Sequence, residues 1–220
     1  RELVRDVASQ FGIQSDLAAG PALALGASEA TLIEMTGAYA GILNGGSAVA
    51  PYGLTELRLM GDDAPMIGQV GGIRERVISE DAARQLTYMM AEVVADGTGR
   101  RAMLSDRPVA GKTGTTNSAR DAWFIGFSAD YVAGVWMGYD DNTPLSGVTG
   151  GGLPAEIWRQ TMERIHTDIP PRPLPMIDPV LEARPEGDPS AQPQDGAGSR
   201  PDLAEQILME VLGGILGLNR

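Results

Sequence analysis

Three residue types are almost missing from these 220 positions, and each scarcity closes a class of function. There is no cysteine, which excludes disulfides and thiolate metal sites. A single histidine, His166, leaves too few nitrogen ligands for a zinc centre. Lysine occurs once, at Lys112, among 17 basic residues. Positive charge is short overall: 29 acidic residues give a net charge of −12, which argues against nucleic acid and against electrostatic docking on anionic lipid. No apolar run reaches the roughly 20 residues of a membrane span. Arg1-Glu2-Leu3 carries neither a start methionine nor a signal-peptide pattern, so the sequence reads as a piece of something longer. The length suffices for one domain with a sizeable core.

What is present centres on Gly111-Lys112-Thr113-Gly114-Thr115-Thr116. In a chain that otherwise uses arginine, a lone ammonium suits proton traffic beside a nucleophile, because its pKa moves readily on desolvation. The plainer reading is a lysine that guards a sheet edge against aggregation. A phosphate-binding loop would need glycine where Asp106 stands, and a helix directly behind the motif. The residues Thr115 to Arg120 instead run through a polar turn into a strand pattern, so no helix N-terminus is there to receive phosphate. The nucleotide reading is rejected.

The chain around the motif alternates helical and strand patterns. Leu3, Val4, Val7, Ala8 and Phe11 share a helical face that ends at Gly12. Ser28, with Glu29 behind it, is a candidate cap for a second helix that runs to Leu43 and is apolar on most faces. Thr55 to Met60 and Ile73 to Ile78 read as the two arms of a hairpin-like excursion. Ser79-Glu80-Asp81 starts a third helix, with Ala83, Leu86, Met90, Val93 and Val94 at helical spacing as core, up to a stop at Asp96-Gly97-Thr98-Gly99. Asp121 to Phe127 and Tyr131 to Asp140 are apolar on both pleat faces, which predicts central strands, and Ser128-Ala129-Asp130 is short enough only for antiparallel pairing. Asp140-Asp141 reads as a turn, and Trp123, Trp136 and Trp158 read most simply as core, with the alternative that one of them borders a cleft. Pro154 opens a closing helix with Ile157, Trp158, Met162 and Ile165 on one face, and His166 beyond it reads as a solvated or helix-end residue.

These elements predict an α+β domain, an antiparallel sheet flanked by helices, over residues 1–168. Nine of the 15 prolines fall between Pro170 and Pro201, so residues 169–202 read as a disordered Pro-rich acidic linker. Residues 203–220 read as a short amphipathic helix, too short to cross a bilayer.

The Lys112-Thr113-Gly114-Thr115-Thr116 run is followed by Asp121-Ala122-Trp123-Phe124-Ile125-Gly126-Phe127 and by Val132 to Asp140. Gly151-Gly152-Leu153-Pro154-Ala155-Glu156-Ile157-Trp158 comes after, and Leu23-Ala24-Leu25-Gly26-Ala27-Ser28-Glu29 lies upstream. Together these resemble the class A, bifunctional penicillin-binding proteins, of the Gram-negative type 1A kind, and specifically the carboxyl-terminal half of their transpeptidase domain. The resemblance implies part of a β-lactamase/transpeptidase-like fold. It implies that Lys112 lines the cleft as a catalytic residue, that Thr115 gives its main-chain N–H to an oxyanion hole, and that Thr113, Gly114, Thr115 and Thr116 bind substrate. Thr116 and Asn117 serve equally well as plain turn residues.

By the same resemblance the parent is a peptidoglycan synthase: a serine D,D-transpeptidase acting on stem peptides that end in D-Ala-D-Ala, bound by β-lactams, and also a glycosyltransferase. It would need no metal or organic cofactor. It would face the periplasm on the bacterial inner membrane, with the membrane contacted only through a missing amino-terminal anchor. One departure is decisive. No Ser or Thr stands three residues before Lys112, where Val109 is found, and no Ser precedes an Asn by two. The nucleophile and second motif must come from a missing amino-terminal part, and this chain alone is expected to be inactive. The alternatives are a noncatalytic scaffold module of the same fold, or a D,D-carboxypeptidase or β-lactamase relative.

Overall fold

A computed structural model describes residues 2–68 and 71–177. Helix α1 (Glu2–Gln10) ends where the sequence predicts, with Gly12 at φ 99° and its N–H on the Ser9 carbonyl at 2.9 Å. Its stripe is not covered by the described residues: Leu3 is 73% exposed, and only Phe11 beyond the helix is buried.

Helix α2 (Leu32–Leu43) begins later than expected. Thr31, not Ser28, caps it: the Thr31 hydroxyl accepts from the Glu34 N–H, and Glu34 reaches back to the Thr31 N–H at 3.0 Å. That reciprocal box satisfies two orphan donors at once, which Ser28 with Glu29 cannot do. Ser28 instead accepts the Ala18 N–H at 2.9 Å, beside a 3-10 turn at Pro21–Leu25. The buried side of α2 is small-residued, Gly37, Ala38 and Gly41. A Cβ at Gly41 would lie 2.8 Å from the Phe11 ring, so this glycine is what lets α2 approach the segment after α1.

The excursion after α2 pairs differently from the expectation. Strand β1 (Ser47–Val49) is matched by β4 (Ile73–Arg76), and the small hairpin is β2 (Glu56–Leu57) with β3 (Ile67–Gly68). The predicted arms, 55–60 and 73–78, therefore belong to two different ladders. The reason lies at the ends: Gly46 accepts the Val77 N–H at 2.7 Å and Gly72 accepts the Ala50 N–H at 2.8 Å, which fixes 47–49 opposite 73–76.

Helix α3 (Glu80–Ala95) starts at the expected cap, Ser79, and buries Ala83, Thr87, Met90 and Val94, leaving Met89 exposed. Strands β5 (Ala110–Thr115), β6 (Asp121–Phe127) and β7 (Val132–Gly138) form one antiparallel sheet in that order. The β6–β7 hairpin closes at Ser128, whose N–H meets the Tyr131 carbonyl at 3.0 Å. Strand β6 is central and buried, as read from its composition. Strand β7 is the outer strand of this sheet, only half-buried, with Trp136 39% exposed.

Helix α4 (Leu153–Ile165) covers one sheet face through Trp158, whose ring meets Phe124 edge-on at 5.2 Å and whose N–H reaches the Ala133 carbonyl at 3.0 Å. Helix α2 covers the other: a Cβ at Gly134 would stand 2.5 Å from Thr36 Oγ1 and 2.8 Å from Leu32 Cδ1. The result is the predicted helix-flanked antiparallel sheet.

Two expectations at the carboxyl end need correction. His166 caps α4 as a helix-end residue, but it is buried, with Nε2 on Ser128 Oγ at 2.8 Å and Nδ1 on the Met162 carbonyl at 2.7 Å. The domain also continues past residue 168. Buried Arg107 donates to the Ile169 carbonyl at 2.8 Å, and Arg172 donates to Asp130 at 2.9 Å. Leu174 and Ile177 are each 6% exposed. Proline richness there marks an extended strap pinned by Leu174 and Ile177, three residues apart, so residues 169–177 pack on the domain and are not a disordered linker. The remainder of the expected linker, from 178, and the expected helix at 203–220 lie outside the described residues. No helix among the described residues is long and apolar enough to cross a membrane.

Candidate active site

Strand β5 carries the motif on its pleat. Alternation puts Lys112 and Gly114 on one face and Thr113 and Thr115 on the other. Its partners across β6 are Ile125 for Lys112, Phe124 for Thr113, Trp123 for Gly114 and Ala122 for Thr115. Among the described residues no strand pairs with its second edge. Lys112 is exposed, and its Nζ donates to the Thr113 carbonyl at 2.9 Å.

The two hydroxyls on the opposite face are each held from behind. Thr113 Oγ1 lies 2.7 Å from Thr98 Oγ1, and Thr115 Oγ1 accepts the Gly150 N–H at 3.0 Å. Three separate segments meet here: the turn after α3, β5 itself, and the glycine run before α4. They meet closely enough that side chains are forbidden. A Cβ at Gly150 would stand 2.4 Å from the Gly114 carbonyl oxygen, and one at Gly151 would stand 2.2 Å from that of Thr98.

Thr116 is used differently. Its hydroxyl accepts the Asp121 N–H at 2.8 Å and its own N–H meets the Asp121 carbonyl at 3.0 Å, closing the β5–β6 connection. Asn117 opens the 3-10 turn Asn117–Ala119, in which Ser118 and Ala119 have φ of 63° and 50°. Trp123 and Trp136 share the Gly114 face, rings 6.4 Å apart, and Trp136 donates to Asp121 at 2.9 Å. Of the three tryptophans only Trp158 lies fully in the core. Asp140-Asp141 form a turn, with Asp141 accepting the Thr143 N–H at 3.0 Å, and hydrogen bonding from Thr143, first through its side chain and then through this N–H, lowers the Asp141 carboxyl below its ordinary range.

Among the described residues no three His, Cys, Asp or Glu side chains are placed to hold a metal ion. The buried Ser128–His166 pair is not a nucleophile and base. Its hydroxyl already accepts the Asp130 and Tyr131 N–H groups at 3.0 and 3.2 Å, and it has no access to solvent. The β5 edge therefore offers hydroxyl donors, a cation and an approachable backbone, without a group to attack a carbonyl. Thr98 and Gly150 were not singled out from sequence. The flanking Gly97 and Gly99 are the signal that could have marked Thr98, but glycines after a helix announce a stop first.

The family description "Penicillin binding protein transpeptidase domain" matches residues 8–163. Among curated proteins, penicillin-binding protein 1A of Aquifex aeolicus is 33% identical over 201 residues, which takes in 84% of this chain and 27% of that protein. The chain thus spans about a quarter of the curated relatives it matches. Among solved structures, penicillin-binding protein 1A from Haemophilus influenzae superposes with a TM-score of 0.62 at 30% identity, covering 76% of this chain and 31% of that one. The imipenem acyl-enzyme complex of penicillin-binding protein A from M. tuberculosis superposes with a TM-score of 0.58 at 26% identity, covering 74% and 42%.

Proposed function

The chain belongs to the penicillin-binding protein transpeptidase family, and from that premise we propose that it is the carboxyl-terminal part of a serine D,D-transpeptidase domain in a bifunctional, class A peptidoglycan synthase. The observation that carries this is the β5 edge itself. It is free of strand pairing among the described residues, with an exposed Lys112 and two threonine hydroxyls, each hydrogen-bonded from behind by a different segment.

An extended peptide laid along such an edge gains main-chain hydrogen bonds while its end meets side-chain donors. In this reading the stem peptide's terminal carboxylate sits at the hydroxyls of Thr113 and Thr115. Gly114 lets the peptide backbone lie close, and the Thr115 N–H receives the developing oxyanion. Lys112 adds positive potential and a proton-network partner.

The serine supplied by the missing amino-terminal part attacks the penultimate D-Ala carbonyl. The bond to the terminal D-Ala nitrogen breaks, and that residue leaves with the proton the serine gave up. An amine of a neighbouring strand then attacks the ester carbon, its proton returning to the serine oxygen as the C–O bond breaks. A β-lactam enters the same sequence, but its opened ring stays attached. Thr116 contributes through the turn it closes.

The parent would also carry a glycosyltransferase domain, reach the membrane only through its amino-terminal anchor, and work on the periplasmic face of the bacterial inner membrane. A noncatalytic scaffold with the same fold is the opposing reading. Incubating the full-length parent with penicillin and reading intact mass separates the two. The transpeptidase reading expects one adduct, slowed at least tenfold by Lys112→Ala, and none on residues 1–220 alone. A folded parent that takes no adduct leaves the scaffold.

A further inference from the structure

We infer that Thr98 is a positioning residue of this site: its hydroxyl, 2.7 Å from that of Thr113, directs the Thr113 proton outward toward an anionic oxygen at the β5 edge. The inference rests on the reading of β5 as the strand that holds the substrate's carboxylate.

A hydroxyl has one proton to give and two lone pairs to receive with. When Thr98 donates to Thr113, the Thr113 proton has no claim on it inside the protein and is left for a ligand. Thr115, two residues on and on the same face, is held in an equivalent way. The Gly150 N–H can only donate, so at 3.0 Å it fills a lone pair of Thr115 and leaves that proton free as well. Two adjacent hydroxyls are thus each backed by a donor. Such an arrangement suits an acceptor-only group such as a carboxylate, and the relay through Thr98 strengthens the outer bond by polarising it.

The turn that carries Thr98 is rigid for a packing reason. A Cβ at Gly97 would stand 2.8 Å from the Val93 carbonyl oxygen, and one at Gly99 would stand 3.2 Å from the Phe124 ring. The Gly99 N–H is tied to Val93 at 2.9 Å. Thr98 is thereby locked between the last turn of α3 and the sheet core, although its own side chain is exposed. Helix capping would be served by many residues here; the 2.7 Å contact requires a hydroxyl.

The test uses the full-length parent and the kinetics of acylation by penicillin, resolved into an apparent dissociation constant and a chemical rate. Thr98→Val is expected to weaken the dissociation constant about tenfold, the lower end for a hydrogen bond to a charged group, with the chemical rate changed by about twofold or less. Thr98→Ser restores the constant. In a Thr113→Val background, Thr98→Val has no further effect, because it acts only through that hydroxyl. Equal losses in both backgrounds, a loss confined to the chemical rate, no loss, or no rescue by serine would each overturn the inference while acylation of the wild type keeps the functional reading intact. A folded wild type that is never acylated overturns both.

Discussion

Replacing Glu34 by glutamine removes the charge from the most heavily bonded carboxylate among the described residues. Its two oxygens accept from the N–H groups of Gln14 (2.9 Å), Ser15 (3.1 Å) and Thr31 (3.0 Å) and from the hydroxyls of Ser15 (2.6 Å) and Thr31 (2.9 Å). The side chain thereby caps α2 and pins the segment after α1 to it. Those donors, led by the Ser15 hydroxyl, hold the Glu34 carboxyl down at about 2. Measured from the ordinary 4.5, that lowering corresponds to at most ~3.4 kcal/mol at ~1.36 kcal/mol per pH unit. Exposure to solvent reduces it to ~1 kcal/mol.

Because the folded value is depressed, the stabilisation is present above the unfolded value near 4.5 and is lost as the pH falls through about 2. In the intact protein at pH 7, Glu34→Gln is expected to speed amide exchange at Gln14, Ser15 and Thr31 by about fivefold, the equivalent of ~1 kcal/mol. Calorimetric unfolding should show the variant less stable than wild type at pH 7, and the difference should close between pH 4.5 and 2. Unchanged exchange at these three amides, or a difference that persists undiminished to pH 2, would refute the assignment.

Two further substitutions probe the site and the strap. Gly150→Ala places a methyl 2.3 Å from the Trp123 carbonyl oxygen and 2.4 Å from that of Gly114. It should displace the glycine run from β5, at a cost of ~2–3 kcal/mol in urea unfolding, and slow acylation of the parent by at least ~10-fold; wild-type values for both would show that the run yields without strain. Asp130→Asn removes the carboxylate that Arg172 bonds at 2.9 Å and that lies 3.9 Å from buried Arg107. Breaking that pairing should cost ~3 kcal/mol and expose the Ile177 amide, now 3.4 Å from the Arg84 carbonyl, to rapid exchange; slow exchange there would mean that Leu174 and Ile177 hold the strap without the charges.

The long periodic elements were legible because a single local rule governed each. Ser79 capped α3, apolar β6 became the buried central strand, and Pro154 opened α4. The misreadings came where two local rules competed or where the answer was tertiary. Ser28 satisfies the local cap rule, but Glu34, which closes the box with Thr31 and also bonds residues 14 and 15, sets the start of α2 three residues later. The partner of 73–76 was chosen by carbonyls at Gly46 and Gly72 that no pattern announces. Proline content in 169–177 spoke of extension, and extension was read as disorder because Arg107, more than 60 residues upstream, supplies the bond that orders it. At the candidate site the resemblance points to the β5 motif residues and proposes their roles, whereas Thr98 and Gly150 enter only through distances.

The solitary lysine has a practical consequence for chemistry at the bench. Lys112 is the one side-chain primary amine in the sequence, and it stands exposed on the edge of β5. Apart from the chain's own α-amino group, an amine-reactive dye or cross-linker has a single address on this chain, and that address lies on the open edge of β5. Whether anything covers the β5 edge becomes a matter of whether one amine is shielded, readable from a single modified peptide without mutating anything.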